Sequence, residues 1–228
     1  MDARALRQIP FFRYVSSHRL ERLRAVAHLE RYPKGAVLFR QHTAADAIWI
    51  VVEGWVHLLR SPDGDGQASP VVLFTITPQE ALCGISAIES GVYHLSAIAA
   101  TECQAIRIPR QAFHELVRHE PQVSYAALRL CVRRLQHMAQ QYGAVAEPVS
   151  QRLIRTILRL QDQFGSTIPM THRELAQMAW TTTESAIRII RKLKHDGVVG
   201  GRRGQLVIQQ PKALQQLLAQ RTNGRRHL

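Results

Sequence analysis

Cysteine is scarce in this chain of 228 residues: Cys83, Cys103 and Cys131 are odd in number and widely spaced. That excludes a disulfide framework and a structural zinc site, which need paired or clustered sulfurs. Long apolar runs are missing too. None approaches the roughly 20 residues needed to cross a bilayer. The opening stretch MDARALRQIPFFRYV lacks the apolar core of a signal peptide, so a cytoplasmic protein with no membrane partner is expected. The 11 histidines are scattered; His114 and His119 come nearest to ligand spacing, but they lie five apart and do not share a helix face. No metal ligand set is therefore assigned. No nucleophile–base pair or carboxylate pair stands out either, so no catalytic residues are assigned and an enzyme is not expected.

Acidic residues are few: 17 Asp and Glu against 30 Lys and Arg, a formal net charge of +13. Such an excess points to a polyanionic partner. The charge is uneven along the chain. Residues 1–144 hold 16 basic and 12 acidic residues, a net of +4, while residues 145–228 hold 14 and 5, a net of +9. The concentration in the shorter segment favours nucleic acid over an anionic membrane. The hydrophobic fraction of 46% is that of a folded protein long enough for two modest domains.

The texture of the chain changes along its length. Residues 5–30 read as short helices, with Leu20, Leu23, Val26 and Leu29 at helical spacing. From Tyr32 short β runs follow: 36–39, 47–54, 55–60, 71–77, 95–100 and 103–109, separated by turn signals such as Pro33-Lys34-Gly35 and SPDGDG. Strands of this length and spacing suggest a small barrel or sandwich. Helical pattern resumes at Gln111 and breaks at Pro121. Beyond it Leu128, Cys131, Leu135, Met138, Tyr142 and Val145 alternate spacings of three and four. That is a heptad seam suited to a dimer coiled coil. Glu147-Pro148 marks a hinge, with Pro148 suited to a first helical turn.

The most informative stretch is THRELAQMAWTTTESAIRIIRKL, residues 171–193. It reads as two short helices joined by a tight turn. Thr171-x-x-Glu174 and Thr181-x-x-Glu184 each fit the capping box. Leu175, Met178 and Ala179 form the apolar stripe of the first helix; Ile187, Ile190 and Leu193 form that of the second. Thr183, Glu184, Arg188, Arg191 and Lys192 lie on the second helix's exposed face. A short helix with one buried stripe and one basic, hydrogen-bonding stripe suits the major groove of DNA. The following GVVGGRRGQLVIQQP reads as a β-hairpin whose tip carries Arg202 and Arg203, placed for phosphate contact.

This order of barrel, long helix, hinge, helix-turn-helix and wing resembles the Crp/Fnr family of bacterial transcription regulators over roughly residues 10–215. The stretch KGAVLFRQHTAADAIWIVVEGWVHLL is similar to the first half of a cyclic-nucleotide-binding-type barrel, with Gly35, Asp46 and Gly54 at the family's turn positions. TTTESAIRIIRKLKHDGVV resembles the family's recognition helix running into the wing. The resemblance implies an α+β fold: an N-terminal β-barrel or jelly-roll sensor domain with leading helices (1–120), a dimerisation helix (121–145) and a C-terminal winged helix-turn-helix (146–228). It also implies base readout by Glu184 and Arg188, one turn apart, with Thr183 as a further contact. A Glu carboxylate accepts from cytosine N4, and an Arg fork bonds guanine O6 and N7. Thr171, Arg173, Ser185, Arg191, Lys192, Arg202 and Arg203 are assigned to the DNA backbone. Ile187 stands where well-known members have Gly or Ser. Trp180 stands where the turn commonly has Gly, and is expected to be strained or locally rearranged.

The sensory side departs from the family pattern. Cyclic-AMP-binding relatives use a Gly-Glu pair and an Arg-Ser pair, replaced here by Cys83-Gly84 and His94-Leu95; the Thr-Ser pair of the long helix is Met138-Ala139. These six residues are the candidate effector pocket. A cyclic phosphate would lose its bidentate cation and its sugar acceptor together, so cyclic AMP is not expected to bind. No cysteine precedes Cys83, which excludes the family's iron–sulfur cluster. Haem remains an alternative through Cys83, although the His of the haem-binding branch is Ile85 here, with His94 as another axial candidate. No cofactor is assigned. The expected function is a homodimeric regulator binding an inverted repeat in double-stranded DNA, meeting RNA polymerase if it activates. The alternative is a ligand-binding module that acts on a protein partner and holds DNA only non-specifically.

Overall fold

The computed structural model describes residues 3–61, 70–82, 88–89, 91–143 and 147–220. The chain divides into two units, Met1–Ala139 and Gln140–Leu228. The first opens with helices α1 (Ala3–Gln8) and α2 (Ser17–Val26). Eight strands follow: β1 (His28–Tyr32), β2 (Val37–Phe39), β3 (Ala47–Glu53), β4 (Val56–Arg60), β5 (Val71–Ile76), β6 (Ala81–Leu82), β7 (Ser96–Ala99) and β8 (Cys103–Pro109). Helices α3 (Arg110–His119) and α4 (Pro121–Gly143) come next. The strands form two antiparallel sheets in the orders β1-β8-β3-β6 and β2-β7-β4-β5.

The continuous apolar run of β3 is explained by burial on both faces. Ala47, Trp49 and Val51 meet Val56, Leu58, Ala97 and Ala105 in the core with the second sheet. Ile48 and Ile50 face the other way, with Ile106 and Ile108, into a cluster with Phe12, Leu20, Leu23 and Phe113 from the helices. Gly54 closes the β3–β4 corner at φ +69°, where a Cβ would lie 2.1 Å from the Glu102 carbonyl oxygen. Only glycine fits there.

Strand β1 corrects the sequence reading. The helical spacing through Leu29 predicts helix, but α2 ends at Val26 and Ala27 is already extended. His28–Tyr32 instead pairs antiparallel with Arg107–Cys103 of β8, and Leu29 is exposed. Ladder hydrogen bonds along an available sheet edge outweigh a short helical periodicity.

The second unit contains α5 (Val149–Phe164), β9 (Thr167–Ile168), α6 (His172–Met178), α7 (Thr183–His195), β10 (Val199–Gly200), β11 (Leu206–Ile208) and α8 (Pro211–Gln220). Pro148 is the N-cap of α5, one position before the helical turn expected of it. The three strands pair antiparallel in the order β10-β11-β9. Leu153, Ile157, Leu175, Ile190, Leu206 and Leu214 are fully or almost fully buried, so every helix of the unit contributes to its core. No described helix is long and apolar enough to cross a membrane. Among the described residues no His, Cys, Asp and Glu cluster is arranged to hold a metal ion.

Candidate nucleic-acid interface

The geometry of the α6–α7 turn begins with its caps. Thr171 and Glu174 form the expected capping box: the Glu174 N–H donates to Thr171 Oγ1 at 3.2 Å, and the Thr171 N–H donates to Glu174 Oε2 at 2.6 Å. The Thr171 hydroxyl also bonds this carboxylate, at 2.8 Å, so both donors proposed to face DNA are engaged with Glu174. At the other end Trp180 takes φ +52°. Its N–H donates to Gln177 O, and the Thr181 N–H donates to Ala176 O at 3.0 Å. These two bonds form a Schellman cap with Trp180 in the position usually held by glycine. The expected strain at Trp180 is thus a left-handed backbone at a helix end, costing about 1 kcal/mol or more.

This cap corrects the second capping box. Thr181 is occupied in closing α6, so Thr182 becomes the N-cap of α7 and accepts from the Ser185 N–H at 3.2 Å. Glu184 is consequently not folded back onto the helix start. The turn has a support that the sequence does not signal. Arg152 of α5 donates from Nε to Ala179 O at 3.1 Å and from its guanidinium to Trp180 O at 3.0 Å and Glu147 O at 3.1 Å. One planar fork thereby satisfies three carbonyls and fixes where α7 starts.

Helix α7 buries Ala186, Ile190 and Leu193. Ile187, expected in that stripe, is half-buried, and the smaller Ala186 takes the core position. Glu184, Arg188 and Arg191 are exposed at successive turns of one face, with Lys192 beside them; Thr183 and Ser185 are half-buried at the start. Among the described residues none of the side chains of Glu184, Arg188, Arg191 and Lys192 is engaged in an intramolecular hydrogen bond or ion pair. Lys194 donates to Gly201 O at 3.0 Å, tying the wing to α7. Gly201 sits at φ +107°, where a Cβ would meet Gln205 O at 2.4 Å. Arg202 and Arg203 project beyond it, exposed. Arg173 is exposed on α6.

His172 was missed by the sequence reading. It opens α6, and burial first, then the charges of Lys194 and Arg191, hold its pKa below the usual histidine value. A phosphate near Arg191 and Lys194 would offset their repulsion, though not the burial, and so raise the ring's pKa in the DNA complex. DNA affinity is expected to rise as pH falls from about 7 to about 5.5, and to rise less in His172→Gln. Superimposable pH profiles measured by fluorescence anisotropy would contradict this.

In the first unit, α4 buries Val123, Ala127 and Leu130 and leaves Tyr125, Leu128, Val132 and Leu135 exposed at 59, 59, 45 and 71%. Leu128 and Leu135 belong to the predicted seam. Cys131 and Met138 are half-buried on the side of Arg134, and the side chain of Tyr142 lies outside the described residues. Tyr125 and Val132 join Leu128 and Leu135 in an exposed stripe with spacings of three and four. The opposite flank is fastened to the barrel: Arg134 donates to Ala81 O at 2.5 Å and lies over Phe74, and His137 Nε2 is 3.1 Å from Leu73 O.

Comparison with known proteins converges on the same two parts. Residues 29–120 match the model of the cyclic nucleotide-binding domain, and residues 151–217 match that of the Crp-like helix-turn-helix domain. The chain belongs to the Crp/Fnr family. It is a transcription regulator with a helix-turn-helix DNA-binding domain, in a family of regulators and not of enzymes. The cyclic AMP receptor protein of Thermus thermophilus is 28% identical over 179 residues, covering 77% of this chain and 82% of its own length. The c-di-GMP-responsive global regulator CLP of Xanthomonas campestris has the same fold, with a TM-score of 0.72 at 23% identity, covering 85% of this chain and 99% of that one. FixK2 of Bradyrhizobium japonicum gives 0.75 at 16% identity, covering 84% and 97%.

The candidate effector pocket of this Crp/Fnr regulator lies only partly within the described residues. Cys83 and Gly84 lie outside the described residues, as does Ala146 of the hinge. His94 is exposed, Leu95 is packed against the barrel core, Met138 is half-buried and Ala139 is exposed. Beside Val123 and Leu130, which pack into the core, α4 reaches the barrel with the polar groups of Arg134 and His137, to which the sequence reading assigned no role. Cys103 is buried, which pushes its thiol up to about 11 and leaves it an inert core residue.

Proposed function

We propose that this regulator acts as a homodimer on an inverted repeat, with α4 (within 121–145) as the dimer helix and the segment 146–228 as the DNA-binding domain. The observation that carries the reading is the exposed face of α7, where Glu184 and Arg188 stand one turn apart without intramolecular partners. In the major groove Arg188 takes the guanine and Glu184 the cytosine of one G·C pair, within a TGA-like half-site, and Thr183 lies beside them. Arg173, Ser185, Arg191, Lys192, Arg202 and Arg203 are the backbone contacts. Thr171 contributes by fixing α6, since its donors are held by Glu174. The apolar stripe Tyr125, Leu128, Val132 and Leu135 supports dimerisation. We further infer a sensor barrel unsuited to cyclic AMP, because the phosphate-binding Arg-Ser is replaced by an exposed His94 and a core-packed Leu95. RNA polymerase is the expected partner if the protein activates, and the cytoplasm its expected location.

Arg188→Ala is expected to cost about 1–3 kcal/mol on a specific site and to relax the preference for G at one position of each half-site. Competition binding against single-base variants of the site checks this. Equal loss on specific and random duplexes would remove Arg188 from base readout.

A further inference from the structure

One side chain beside the outward face of α7 carries no hydrogen-bonding group. Ile187 is half-buried, and the core position in its turn is held by the smaller, fully buried Ala186. Thr183, Ile187, Arg191 and Lys194 follow at spacings of four, four and three, so they form one row along the helix. That row ends at the wing, where Lys194 bonds Gly201 O. Side chains three and four apart on a helix lie about 5–6 Å from each other at Cβ, which puts Ile187 beside both Glu184 and Arg191. Thr183, Glu184, Arg188 and Arg191 around it are all charged or hydrogen-bonding, and Ile187 is the one aliphatic group among them. Ile189, also half-buried, lies on the other flank with Ile154 and Leu217.

A branched aliphatic group left partly in water gains by covering apolar surface. The major groove offers one such surface on its base edges, the C5-methyl group of thymine. Against guanine, cytosine or adenine, Ile187 would strip water from N7, O6, N4 or N6 and return no hydrogen bond. The side chain therefore attracts thymine and penalises the other three bases. We propose that Ile187 is a specificity-determining residue that contacts the methyl group of a thymine in the base pair next to the G·C pair of Glu184 and Arg188. Bases stack about 3.4 Å apart along a strand, a step within reach of a residue adjacent to Arg188 and one turn from Glu184. The assignment rests on the major-groove reading of α7 proposed above and gives the thymine of that half-site a reader of its own.

The test replaces thymine by 2′-deoxyuridine, one position at a time, in a duplex selected from a random pool by the full-length protein. Uracil keeps the O4 acceptor and the pairing with adenine and lacks only the methyl group. Next to the G·C pair, uracil should weaken wild-type binding about four-fold, the value of one buried methyl-sized group. In Ile187→Ala that thymine-to-uracil ratio should fall to about one, and in Arg188→Ala it should stay at about four. Each ratio compares two duplexes with one protein, so a loss of folding stability in a variant cancels. A purely structural role for Ile187 would lower affinity for both duplexes equally and leave the ratio unchanged. An unchanged ratio in Ile187→Ala, no uracil effect beside the G·C pair in the wild type, or a half-site with no A·T pair next to that G·C pair would each overturn the assignment of Ile187 alone. If the pool yields no enriched sequence, the major-groove reading of α7 falls and takes this assignment with it, a failure seen before any uracil is introduced.

Discussion

Replacing Leu128 and Leu135 together by Glu is expected to yield a folded monomer whose affinity for an inverted repeat falls about 10³-fold or more, toward its non-specific level. The two leucines lie on the α4 stripe that faces away from the barrel core. The helix keeps its attachment through Val123, Ala127 and Leu130 and through Arg134 and His137, so the unit should melt as before. Joined to a second copy, the stripe would bury apolar surface at about 25 cal/mol per Å². Glutamates there would be desolvated against their own copies, which disfavours the joined state. Losing the dimer separates the two half-site contacts, and each recognition helix alone makes too few base contacts to stand above non-specific binding. Sedimentation equilibrium and anisotropy at fixed salt measure both effects. A variant that remains dimeric would reject this face as the interface.

Arg152→Ala should destabilise the DNA-binding unit by about 2–4 kcal/mol, because it strips charge-assisted hydrogen bonds from three carbonyls at once. Trp180 depends on this support more than an ordinary residue would: its φ of +52° is tolerated by a structure that over-determines it. With the fork gone, the α6–α7 turn is free to relax and α7 loses its fixed start, so specific DNA binding should weaken more than ten-fold. Arg152→Lys should recover little, since one ammonium cannot span three separated acceptors. Chemical unfolding monitored by circular dichroism, with anisotropy alongside, gives both numbers. Wild-type stability together with wild-type DNA binding in Arg152→Ala would contradict this role.

How legible each part was depended on how local its cause is. Strand β8 was readable to its ends from Cys103 to Pro109 because a short apolar-rich run ends at a proline and a helix follows at once. Glu184 and Arg188 were readable because helical spacing alone puts them on one face. The cap of α7 was not, since three successive threonines, 181 to 183, offer equivalent hydroxyls. The choice fell to Trp180, whose left-handed backbone uses Thr181 to close the preceding helix. Which side of α4 faces out was hidden for a similar reason: Cys131 and Val132 are both apolar, and only packing against the barrel leaves Val132 exposed and Cys131 half-buried. Arg152 gives no sequence signal at all, because its turn acceptors lie 27 and 28 residues away. The β1 strand was hidden by a helical spacing that a distant sheet edge overrode.

Selection of bound duplexes from a random pool, by the unmodified chain at fixed salt, reaches the central claim directly. Retained sequences should converge on an inverted repeat whose half-sites lie about 10–10.5 base pairs apart centre to centre, or a multiple of that. Each half-site should hold one strongly fixed G·C pair, and that pair should lose its fixation when Arg188 is replaced. Retention without enrichment of any sequence, or enrichment of a single unrepeated element, would contradict a dimer that reads DNA through α7.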